Sequence, residues 1–170
     1  MDTLDPKLVA AVLGVDPEGV MIYLADRLDA SPNSVNGDIE VRHLTPVFAL
    51  GALHRGKEIE QFIGGIERDG RQGVQWIAIS PGCSGVTVRL SEVVDAGTDT
   101  FHDVTEFPPL EPDEESWGRE VAVLATPEEA LQVAVQELGA DPGRWVNQGI
   151  VCDEYRDFRI ARKAQSPTQP

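Results

Sequence analysis

The sequence predicts an α+β protein: a single, mainly antiparallel sheet of about five strands, with an N-terminal helical hairpin and C-terminal helices packed on one face of it. Three observations carry this. Apolar residues recur at helical spacing near both ends of the chain. They alternate along its middle. The middle segments are separated by turns such as Asp69-Gly70 and Pro81-Gly82. At 170 residues, 41% hydrophobic and 25% charged, the chain has the composition of a packed globular domain. One domain over residues 1–163 and a flexible tail over 164–170 (AQSPTQP) accommodate that length.

Helix starts are legible in chain order. Asp5-Pro6 and Asp16-Pro17 each join an N-cap residue to a proline in the first turn, where a missing N–H costs nothing. They predict helices over 5–13 and 17–30, the second with Val20, Met21, Leu24 and Leu28 on one face. Residues 39–42 alternate like a half-buried strand. Residues 46–53 are almost continuously apolar, which predicts a strand covered on both faces. Residues 58–68 admit two readings: a helix with Ile59, Phe62, Ile63 and Ile66 on one stripe, or a strand forming a hairpin with 74–80 through Asp69-Gly70. Residues 75–80 and 85–90 read as strands, with Val86, Val88 and Leu90 on one face, and 100–107 as a further strand. After a polar connection over 108–117 come a short strand at 121–124 and a strongly signalled helix at 126–139. Thr126 caps that helix, Pro127 opens it, Glu129 completes a capping box and Gly139 ends it. Asp141-Pro142 predicts a turn of helix carrying Trp145. Residues 153–163 predict a last helix with Tyr155 and Phe158 inward.

Charge is the most unusual property. Acidic residues number 29 against 14 basic, a formal net charge of −15. That field repels nucleic acid and anionic membrane, so neither is an expected partner. Asp2 and Asp5 occupy the place where a secretory signal is basic, and no apolar run is long enough to span a bilayer. Cys83 and Cys152 lack metal-binding or redox spacing and suit two reduced thiols. A cytoplasmic location follows as the expectation.

Twelve carboxylates lie between Glu92 and Glu129, opposed only by Arg119. Solvation alone explains many such faces. The alternative is an acidic face that attracts a basic partner and rejects wrong ones. Trp117, directly after the 111–115 acidic cluster, would supply an aromatic anchor inside an acidic rim. The candidate interface is therefore Asp99, Asp103, Glu106, Asp113, Glu114, Glu115 and Trp117.

Other chemistries find less support. Cys83 sits in a Gly-rich turn and needs a base, for which His43, His54 and His102 are the candidates, and acidic surroundings oppose thiolate formation. Asp99, His102 and Asp103 match no zinc or calcium spacing. The glycines form no phosphate-binding motif, so no cofactor is expected. Arg156, Arg159, Arg162 and Lys163 are the one local basic cluster, interspersed with Asp153, Glu154 and Asp157 as on a salt-linked exposed helix. In size, acidity and α+β order the chain resembles, in general character, the small immunity and antitoxin proteins that neutralise bacterial toxins. That resemblance implies a non-enzymatic inhibitor of a basic partner, such as a toxin enzyme. The competing readings are a small enzyme using Cys83 or the His102–Asp103 pair, and a structural or assembly component such as that of a phage.

Overall fold

A computed structural model describes residues 42–111 and 118–165. The expected N-terminal hairpin lies outside the described residues, as does all but the last position of the 39–42 strand. The described chain forms helix α1 (Pro46–His54), strands β1 (Ile59–Arg68), β2 (Arg71–Gly82) and β3 (Gly85–Val94), a 3-10 turn (Val104–Glu106), strand β4 (Arg119–Leu124), helix α2 (Pro127–Leu138), strand β5 (Val146–Asn147) and helix α3 (Val151–Gln165). The sheet is antiparallel with order β4-β3-β2-β1-β5. This is the expected α+β class and strand number.

Local chemistry explains the central meander. Residues 58–68 are extended. The β1–β2 turn places Asp69 at φ 51° and Gly70 at φ 77°, the two left-handed positions of a tight hairpin whose twist matches its strands. Cys83 and Ser84 form the β2–β3 loop between the paired Gly82 and Gly85. A bulge between Phe62 and Gly64 shifts the register of β1.

Alternation along β2 separates two cores. Ile77 and Ile79 join Ile59, Val86 and Val88 beneath α1 and α2, with Trp145 among them. Val74 and Trp76 point the other way and pack with Phe62, Val93, Val104, Phe107, Val151 and Tyr155. The helices thus cover both faces of the sheet. The expectation of one covered face fails because β2 is apolar on both sides, and each side needs a lid.

Three element expectations are corrected. Residues 46–53 form α1, not a strand. Thr45 caps it, its hydroxyl accepting the Phe48 N–H at 3.4 Å, and Pro46 occupies the first turn. A segment buried on most sides carries no period to separate helix from strand. Residues 100–107 are a loop with one 3-10 turn. The Asp103 carboxylate accepts the Thr105 N–H at 3.1 Å and the Thr105 hydroxyl at 2.6 Å, a local bond that competes with a strand ladder. Around Trp145 the chain is extended instead of helical. The Trp145 carbonyl accepts the Leu44 N–H at 2.7 Å, and β5 follows on the edge of β1. The C-terminal helix runs to Gln165, into the segment expected as tail.

Candidate partner interface

The loop joining β3 to β4 carries the described part of the predicted acidic face. Its described part is fixed to the sheet near Val94 and at residues 108–110. Val94 N–H donates to Pro108 O at 2.9 Å, Leu110 N–H to Glu92 O at 2.9 Å, and the Arg71 guanidinium to Leu110 O at 2.7 Å. Val104, Phe107 and Leu110 are buried and pin the loop by apolar contact. Phe107 packs edge-on against Tyr155 of α3, with ring centroids 5.4 Å apart, and Phe101 tilts over Phe107 at 5.5 Å. Phe101 remains 42% exposed.

The three described members of the predicted interface are all exposed, with different surroundings. Asp99 bonds to the ammonium of Lys163, which lowers its carboxyl below the usual range. Asp103 is also lowered, chiefly by the Thr105 hydroxyl, while its own burial opposes the shift. Glu106 closes the 3-10 turn. Among the described residues, neither Asp103 nor Glu106 has a cationic partner. Asp113, Glu114, Glu115 and Trp117 lie outside the described residues.

Folding neutralises much of the charge that looks unopposed along the chain. Glu92, buried in β3, takes a two-pronged bond from Arg68 at 3.0 and 3.0 Å. Asp95 accepts from Tyr155 and, at 2.8 Å, from Arg162. Glu111 lies 3.9 Å from Arg68, Glu120 4.0 Å from Arg89 and Glu128 2.9 Å from His54. Glu129 completes its capping box. The neutralising cations come from β1, β3 and α3, so a count along residues 92–129 misses them. Sequence reasoning also missed Phe101, placed in a strand and so not weighed as a surface anchor. Its place between Asp99 and Asp103 is the signal that was available.

The competing chemistries fare as follows. Cys83 is exposed at the β2–β3 hairpin. His43 bonds through Nε2 to Glu154 at 3.2 Å and His54 through Nε2 to Glu128 at 2.9 Å. Cys152 is half-buried, and burial pushes its thiol up to about 11. Among the described residues, no group of three His, Cys, Asp or Glu is arranged to hold a metal ion. Asp99 turns to Lys163 and Asp103 to Thr105. Among the described residues, no helix is long and apolar enough to cross a membrane. Comparison of the chain with family models, with curated proteins and with solved structures finds no match.

Proposed function

We propose that this chain is a non-enzymatic, acidic protein-binding module that engages a basic partner through its β3–β4 loop. One observation carries the reading: the exposed Phe101 ring shares one loop with Asp103 and Glu106, two exposed carboxylates without a cationic partner among the described residues. An aromatic contact inside a carboxylate rim suits Arg and Lys side chains, which stack on rings and pair with the rim. The net charge of −15 supports the same sign of partner by steering encounter. Asp113, Glu114, Glu115 and Trp117 extend the interface along the same connection. Asp99 belongs to its edge, where Lys163 already holds it.

The concrete form of the proposal is an inhibitor or immunity-type protein that covers the basic cleft of a toxin enzyme in the cytoplasm. Clefts built for phosphate groups are basic, and an acidic loop can occupy the place of the phosphates. Affinity capture from the native cytoplasm, washed at low and then high salt, tests it. The expected result is one stoichiometric basic protein that elutes with salt and whose activity the chain blocks. Retention of nothing, or of copies of the same chain only, would contradict it.

A further inference from the structure

On one side of α3, Arg156, Arg159, Ile160 and Lys163 follow helical spacing and face the loop carrying Asp99 and His102. Together these six residues line a surface groove of about 250 Å³. Its lining holds three cationic side chains and one carboxylate, and Asp153 and Asp157 pair with Arg156 from outside that lining.

The groove has a built base. A Cβ on Gly97 would collide with the Tyr155 hydroxyl and the Arg159 guanidinium, so only glycine lets the loop lie this close to α3. The Tyr155 ring is fully buried and its hydroxyl is anchored on Asp95. Arg159 donates to that hydroxyl at 3.3 Å, with its guanidinium 5.9 Å from the ring centroid. This contact holds the guanidinium in place while engaging one of its five N–H donors. Arg156 sits 3.6 Å from Asp153 and 3.8 Å from Asp157. Both are exposed ion pairs beyond hydrogen-bond distance, of the kind that exchanges readily for a better anion. Ile160 is 60% exposed and offers an apolar shelf beside the cations.

We propose that this groove binds a phosphate monoester, with the anionic head on Arg159, Arg156 and Lys163 and the body of the ligand against Ile160. Donor number decides the class. Arg156, Arg159 and Lys163 line one groove with cationic N–H donors, which suit the three terminal oxygens of a phosphate monoester better than the two of a carboxylate. Binding draws Lys163 from Asp99. The site does not depend on the acidic-face reading, and Asp99 separates the two: Asp99→Asn is expected to strengthen phosphate binding and to weaken binding of a basic partner.

The test is calorimetric titration of the full chain with phenyl phosphate, inorganic phosphate and benzoate, with the His102 ring followed by NMR. Saturable binding of phenyl phosphate, tighter than either control and accompanied by a shift of His102, is expected. Arg159→Gln should weaken it at least about tenfold, the loss expected for a charge-assisted hydrogen bond. Arg156→Gln, an exposed change that leaves the helix packing intact, should weaken it several-fold. Arg89→Gln on β3 should change nothing. A phosphotyrosyl tetrapeptide and uridine monophosphate then distinguish a modified protein chain from a free metabolite, and binding of either supports the site. Absence of saturable phenyl phosphate binding, equal affinity for benzoate, or equal losses in the Arg89 and Arg159 variants would overturn the proposal.

Discussion

Cys152 shows how far surroundings decide the chemistry of a side chain. Its thiol is half-buried at the start of α3, near the Asp103 carboxylate at 3.6 Å. Burial and then the neighbouring negative charge disfavour the thiolate, and the group is raised to about 11. At pH 7.5 one equivalent of a thiol reagent should therefore react readily, at the exposed Cys83, and the second only after denaturation. Two equivalents at similar rates in the native protein would contradict this placement. A Cys83 labelling rate well above that of free cysteine would instead favour the enzymatic reading. Sequence spacing excluded a disulfide framework. It could not tell which thiol was buried, because that depends on how the 100–107 loop folds over α3.

At the scale of elements, a strand holds the start of a helix. Glu60 of β1 is buried, and its carboxylate accepts the N–H groups of Gly149 at 2.8 Å and Val151 at 3.4 Å, at the first turn of α3. Burial raises its pKa above the ordinary 4.5, although both backbone bonds oppose the shift. The folded protein then binds more protons than the unfolded chain in the pH range just above 4.5, so this group makes stability fall as pH rises through that range. Glu60→Gln keeps an acceptor for the Gly149 N–H and has nothing to ionise. Its stability relative to the wild type should improve as pH rises above 4.5 in urea titrations. A difference independent of pH would count against the buried carboxylate.

Elements with a local cause were legible in the sequence. The Thr126 capping box and the Gly139 stop with φ 72° act within a few residues and are read directly, whereas the Asp69-Gly70 turn left residues 58–68 open between helix and strand. Thr45-Pro46 obeys the same rule as Thr126-Pro127, yet the uniform apolarity of α1 hid it. The strand expected at 100–107 failed because an Asp103 side-chain bond outweighed a short alternation. Trp145 is set by pairing with Leu44, 101 positions away in sequence, for which no local signal exists. The candidate site follows the same division. Carboxylate positions were readable, while their cations arrive from other elements.

The whole molecule carries a net charge of −15, and its described surface distributes that charge unevenly. Carboxylates near β3 are largely paired, α3 lends Arg156, Arg159 and Lys163 to one groove, and the loop bearing Asp103 and Glu106 remains acidic. The proposed interface rests on that loop, where an exposed aromatic ring and two exposed carboxylates share one segment. The most direct measurement is the affinity of the captured basic partner for two charge-reversed forms of the chain. One is Asp103→Lys with Glu106→Lys, and the other is Glu137→Lys on α2, across the sheet. The loop variant should bind at least about a hundredfold more weakly, with a flatter dependence on salt, while the α2 variant binds nearly as the wild type does. Asp113, Glu114 and Glu115 reversed together should behave like the loop variant. Equal affinity for wild type and loop variant, or an equal loss from Glu137→Lys, would show that the acidic loop is not where the partner binds.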